Sequence, residues 1–277
     1  MAQEDRFKFV DDLTILEIVN LLTVGLTSFN LKAQVPSDIL THSQFIPPEN
    51  LRTQQHLNNI NKWTTDHKML INQKKTKNII FNFTNKYQFC TRLSLNGESV
   101  EIVQESKLLG TIIQNDLKWD SNTANIVKRA NARMVILRKL SEFGAPTGDL
   151  KTIYISYIRS VLEQSAVVWH TSLTEQNISD LERVQKSATK IILKNSYIDY
   201  QNALRRLNLD DLVQRRNHLC KSFAKQSVKN ASIYFEPNDK LHSMKTRNTN
   251  IYRIQHCNTE RFNKSALPQM QRMLNCP

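Results

Sequence analysis

Glycine is scarce in this sequence. Five in 277 residues leave no glycine-rich loop to cradle phosphate, and argue against a sheet-dominated fold with many tight turns, which draws on glycine for positive φ. Cysteine is sparser still: Cys90, Cys220, Cys257 and Cys276 lie far apart with no Cys-x-x-Cys pair. Neither a zinc site nor a disulfide framework is expected, and reduced thiols in an intracellular setting, nuclear or cytoplasmic, are. His218 and Cys220 stand two apart on an expected helix and point to different sides. None of the seven histidines is followed two places later by Asp or Glu, which removes the His-x-Asp iron site of dioxygenase chemistry. Long apolar runs are missing too. Residues 13–29 come nearest, but carry Glu17 and Asn20 behind two aspartates, so no transmembrane helix, signal peptide or membrane partner is expected.

What is present is a globular composition, 40% apolar and 23% charged, with charge unevenly placed. Residues 1–115 carry 12 Lys and Arg against 11 Asp and Glu, whereas residues 116–277 carry 26 against 14. A near-neutral first part joined to a strongly basic second part points to a polyanionic partner, RNA or DNA.

Strand signals dominate the first part. Residues 7–16, "FKFVDDLTIL", place Asp11 and Asp12 between two apolar arms, read as an antiparallel hairpin with the acids at its turn. Residues 30–50 read as a loop. Leu51, Leu57, Ile60 and Trp63 follow a helical period over residues 50–67. Residues 78–83 read as a strand that pairs with the Asp-Asp arms, Asn96-Gly97 as a hairpin turn, and residues 107–113, "KLLGTII", as a further strand segment. Beyond Asp120 helices take over. Ile126, Ala130, Leu137 and Leu140 form one stripe, ended by Gly144 and Pro146. Thr147 is expected to cap a second helix carrying Ile153, Tyr157 and Val161 and reaching Trp169. Thr174 is expected to cap a third. That helix has Leu181, Val184, Ala188 and Ile191 on one side and Arg183, Lys186, Lys190 and Lys194 on the other. Residues 211–229 make another helix, and 230–277 read as a polar, largely irregular tail with a short helical finish. The expected fold is α+β in three parts: a small antiparallel sheet with a helix on one face (1–115), a mainly helical basic region (116–229) and the tail.

The order of these pieces resembles the C-terminal half of reverse transcriptases from non-LTR, LINE-like retrotransposons. Phe9-Val10-Asp11-Asp12 matches the aromatic-Ala-Asp-Asp motif with valine for alanine. Asn72, Lys75 and Thr76 match the following Asn-x-x-Lys-Thr element, and Leu109-Gly110 falls where that family has its primer-grip hairpin. The resemblance implies a half-palm followed by a thumb-like region and RNA-directed DNA polymerase chemistry. It implies Mg2+ held by Asp11 and Asp12, with Lys75 toward the triphosphate. It implies nucleic acid against Lys128, Arg129, Arg133, Arg183, Lys186, Lys190 and Lys194. The family's other metal-binding aspartate and its fingers lie upstream of Asp-Asp, and ten residues precede Asp11 here, so this chain alone is expected to hold magnesium weakly and not to polymerise. The alternative is a nucleic-acid-binding protein without catalysis. Residues 121–144 also look similar to a short N-terminal segment of AlkB-type RNA-modifying dioxygenases, whose iron ligands are not found here.

Overall fold

The computed structural model describes residues 8–9, 43–44, 52–82, 88–89, 92–230, 234–237 and 251–276. The chain is α+β, with small antiparallel strand pairs and an extensive helical region. It divides into two units, Met1–Leu117 and Lys118–Pro277.

In the first unit, helix α1 (Arg52–Asp66) buries Gln54, Leu57 and Thr64, a helical face three and seven residues apart. Trp63, expected on that face, is half exposed and instead stacks on His67 with ring centroids 4.3 Å apart. Leu57 packs with Leu93, Leu95 and Val100, and Ile71 leans on this cluster. Among the described residues the strands are ten short segments: β1 (Lys8–Phe9), β2 (Ser43–Gln44), β3 (Met69–Leu70), β4 (Lys77–Asn78), β5 (Gln88–Phe89), β6 (Ser94–Leu95), β7 (Glu98–Ser99), β8 (Glu101–Ile102), β9 (Glu105–Leu108) and β10 (Thr111–Gln114).

Among the described residues these form separate two-stranded ladders rather than one sheet. β6–β7 and β9–β10 are antiparallel, while β1–β3, β2–β5 and β4–β8 are parallel. The β6–β7 turn is the expected one, with Asn96 at φ 53° and Gly97 at φ 85°. Both central residues in the left-handed region match the twist of a two-residue hairpin. Leu109 (φ 48°) and Gly110 (φ 86°) make the β9–β10 turn in the same way, so residues 107–113 form a hairpin rather than one strand. The other departure is the pairing of the N-terminal arm. Residues 78–83 were expected to receive it, yet Lys8–Phe9 pairs with Met69–Leu70. Lys77–Asn78 pairs with Glu101–Ile102, where Lys77 lies directly opposite Glu101 and the two side chains form an ion pair, an arrangement that favours this register.

The second unit is helical. Helix α2 (Asp120–Glu142) buries Ile126, Ala130, Met134 and Leu137, the expected stripe with Met134 added and Leu140 only half-buried. Gly144, at φ 82°, supplies the left-handed residue that ends it. Helix α3 (Thr147–Ile153) follows, with Pro146 rather than Thr147 at its cap and no side-chain capping bond. It runs into a π-helical segment, Tyr154–Arg159, and then α4 (Ser160–Leu162). The wider turn slides the buried face, so Tyr154 and Ile158 go inside and Tyr157 stays 40% exposed. Ser165, at φ 54°, breaks the helix before α5 (Ala166–Trp169), which the periodicity had joined to it.

Helix α6 (Glu175–Leu193) begins at Thr174, whose hydroxyl accepts the Asn177 N–H at 3.2 Å. Thr174→Ala is expected to cost about 1 kcal/mol, read as a lower denaturation midpoint at unchanged slope. Its inward face is Leu181, Val184, Ala188 and Ile192, with Ile191 half-buried. Helix α7 (Tyr200–Leu207), absent from the sequence reading, is capped by Asp199 and closed by Asn208 at φ 47°. Asp211 caps α8 (Leu212–Lys229). The expected helical finish of the tail is α10 (Ala266–Asn275), preceded by a short α9 (Glu260–Asn263). Met270 of α10 packs with Cys220 and Ala224 of α8 and with Phe235.

Candidate nucleic-acid interface

The division of the chain sharpens the charge argument. Met1–Leu117 holds 12 basic and 12 acidic residues, and Lys118–Pro277 holds 26 and 13, so the whole net charge of +13 belongs to the helical unit.

The seven basic residues expected to meet nucleic acid do not form one patch. Arg129 turns to Gln164, donating to its Oε1 at 2.9 Å, and Arg133 donates to the Tyr157 carbonyl while lying 4.4 Å from that ring's centroid. Both are committed to the α3–α4 side of α2. Lys128 and Arg183 instead line a groove of about 530 Å³ between α2 and α6, together with Asp120 and Asp180. Arg183 pairs with Asp180 at 3.3 Å, so the groove carries both signs. Lys194 donates to the Ser141 carbonyl and ties the end of α6 to the end of α2. Lys186 and Lys190 are exposed and rest on aromatic rings: Lys186 Nζ is 5.2 Å from the Tyr200 centroid, and Lys190 Nζ 5.4 Å from that of Tyr197. Arg183, Lys186 and Lys190 thus remain on one solvent-facing stripe of α6.

Tyr197 and Tyr200 were not singled out in the sequence, although two tyrosines three apart behind a lysine-rich helix are a signal of basic and aromatic interleaving. Their placement rests on a buried network. Gln185, fully buried, accepts from the Tyr154 hydroxyl and donates to the Tyr200 hydroxyl and the Asp210 carbonyl, each at 2.9 Å. Tyr200 in turn donates to Glu182, which also accepts the Leu212 N–H. Burial raises the Glu182 carboxyl above its usual range, opposed by the Tyr200 hydroxyl and the Leu212 N–H. It also holds both tyrosine hydroxyls protonated well beyond the ordinary phenol range.

A second buried polar group lies under α8. Arg216 is fully buried and donates Nε–H to His170 Nδ1 at 3.1 Å, with its guanidinium carbon 5.7 Å from the Trp169 ring centroid. Its Nη1 and Nη2 have no hydrogen-bond partner among the described residues. Burial lowers its pKa to about 10, and the fields of Glu182, Glu163 and Asp211 oppose that fall. The same burial holds the Cys220 thiol up at about 11, which makes it inert rather than nucleophilic.

The polymerase-like residues are placed only in part. Asp11 and Asp12, with all of the hairpin expected around them except Lys8–Phe9, lie outside the described residues. Lys75 ends a 3-10 turn, Gln73–Lys75, that Asn72 caps by accepting the Lys75 N–H at 3.2 Å. Thr76 donates to the Asn72 carbonyl at 3.0 Å. The Asn-x-x-Lys-Thr element therefore has a local structural reason, a self-capped turn. Leu109 and Gly110 are the β9–β10 turn, with Leu109 71% exposed. Among the described residues no three His, Cys, Asp or Glu side chains gather as metal ligands, and the expected Mg2+ ligands Asp11 and Asp12 are not among those residues. No described helix is long and apolar enough to cross a membrane. No protein-family model, curated protein or solved structure matches the chain.

Proposed function

We propose that this is a nucleic-acid-binding protein of the non-LTR reverse-transcriptase kind, whose helical unit grips the polyanion through the outer face of α6. The observation that carries the reading is the exposed stripe of Arg183, Lys186 and Lys190 on a unit that holds the entire net charge. Arginine and lysine on a helix surface neutralise phosphates and release counterions, which yields sequence-independent affinity. The order of motifs from Phe9-Val10-Asp11-Asp12 to Leu109-Gly110 supports the polymerase ancestry.

Fluorescence anisotropy with a labelled oligonucleotide tests the binding. A Kd of roughly 10⁻⁴–10⁻⁶ M at physiological salt is expected, weakening steeply as salt rises. Lys186→Gln with Lys190→Gln should weaken binding uniformly across sequences and reduce the salt slope by about 2. Affinity indifferent to salt would remove the basic face from the contact. Primer extension in Mg2+ by the wild type and by Asp11→Ala separates the catalytic reading from the binding one. Synthesis lost in Asp11→Ala would assign polymerisation to the aspartate pair, whereas synthesis by neither leaves the protein a binder.

A further inference from the structure

We infer that the face formed by α6 and the α6–α7 connection is built for single-stranded nucleic acid, with a base stacking on Tyr197 while Lys186 and Lys190 take the flanking phosphates. This rests on the nucleic-acid reading above and narrows it. A stripe of lysines by itself does not choose between strands, since duplex and single strand both present phosphates. The tyrosines introduce the choice. Sequence-tolerant single-strand sites combine a basic track with aromatic rings on which unpaired bases stack, and a base inside a duplex is already stacked on its neighbours.

The two rings are not equivalent. The Tyr200 hydroxyl is held by Glu182 and Gln185, so that ring belongs to the interior network. Tyr197 is half-buried in the short connection and has Lys190 against its ring. Beside it, Ile198 is 72% exposed, an apolar side chain left in water next to an aromatic one, which suits the faces and edges of an unpaired base. The connection is held from both ends. Lys194 is fixed to Ser141, Arg206 donates to the Ser196 carbonyl at 2.6 Å, and Asp199 caps α7 by accepting the Asn202 N–H at 2.8 Å. A ring presented from a braced loop loses little freedom when a base lands on it.

The test uses the full chain and three labelled probes at one ionic strength: a short oligothymidylate, an oligouridylate of the same length and a mixed-sequence duplex. The wild type should bind both single strands more tightly than the duplex. Tyr197→Ala should weaken single-strand binding about 5- to 100-fold and leave duplex binding within about twofold, while Tyr197→Phe keeps the wild-type preference. Ile198→Ser, at an exposed site, provides a second variant that leaves the interior untouched and should narrow the same preference. Equal affinity for all three probes, with the salt slope still reduced by Lys186→Gln and Lys190→Gln, overturns this inference and leaves the binding reading standing. Binding of none of the probes overturns both. Loss on one single strand alone assigns the stacking site to DNA or to RNA.

Discussion

Replacing Gln185 by leucine is expected to destabilise the helical unit by about 2 kcal/mol. Leucine fills much of the same volume, so the loss comes from hydrogen bonding and not from a cavity. The amide oxygen is the acceptor for the Tyr154 hydroxyl, and Tyr154 is fully buried, so that hydroxyl has no route to water. The amide nitrogen satisfies the Asp210 carbonyl at 2.9 Å and the Tyr200 hydroxyl at 2.9 Å. Tyr200 still has Glu182 and Asp210 is an exposed residue, but the buried Tyr154 hydroxyl is orphaned, and an unmet buried group costs about 1–3 kcal/mol. Urea unfolding followed by the fluorescence of fully buried Trp169 measures the shift. Gln185→Leu combined with Tyr154→Phe should recover part of the loss, because it removes one orphan along with its partner. A midpoint that moves by less than about 1 kcal/mol equivalent, with no recovery in the double variant, would show that the network does not carry stability.

The same network shows where the sequence was readable. Gln185 falls four residues after Leu181 and three before Ala188, on the buried side of α6, so its burial was legible from period alone. Its partners were not: Tyr154 and Tyr200 lie 31 and 15 residues away, and helical periodicity carries no information about which helix meets which. Local signals were accurate at two sites, whereas the cap expected at Thr147 falls one residue earlier, on Pro146. Thr174 caps α6, and Asn96-Gly97 turns β6 into β7. They failed where a non-local requirement intervened. The period of Ile153, Tyr157 and Val161 assumed regular α-helix, and the π segment at Tyr154–Arg159 carried the buried face to Tyr154 and Ile158. The seven basic residues were grouped by type. The fold sorts them by neighbour, sending Arg129 and Arg133 onto the α3–α4 side and leaving Lys186 and Lys190 outside.

Acid should weaken the helical unit through His170. The imidazole is 5% exposed. Because Arg216 Nε–H donates to its Nδ1 at 3.1 Å, that nitrogen must keep its lone pair, and Nε2–H is left to donate to Asn217 Oδ1 at 3.0 Å. Protonating Nδ1 would break the Arg216 bond and set two buried cations against each other. Burial first, and then the Arg216 charge, lower the His170 pKa to about 4. An unfolded histidine titrates near 6.5, so between about pH 6.5 and 4 the unfolded chain binds a proton that the folded chain refuses. Stability therefore rises with pH across that window and is lost as pH falls through it, by about 3 kcal/mol in all. Glu182 acts in the opposite sense, since its raised pKa makes the folded state the better proton binder at that site. Comparing the wild type with His170→Gln cancels the Glu182 contribution. Glutamine can still accept from Arg216 but does not titrate, so the variant should be the less stable protein at neutral pH and approach or pass the wild type near pH 4.5. The imidazole resonances of His170 should show it neutral down to about pH 4. Parallel stability curves for the two proteins, or a His170 titrating near 6.5, would mean that Arg216 does not hold the imidazole neutral.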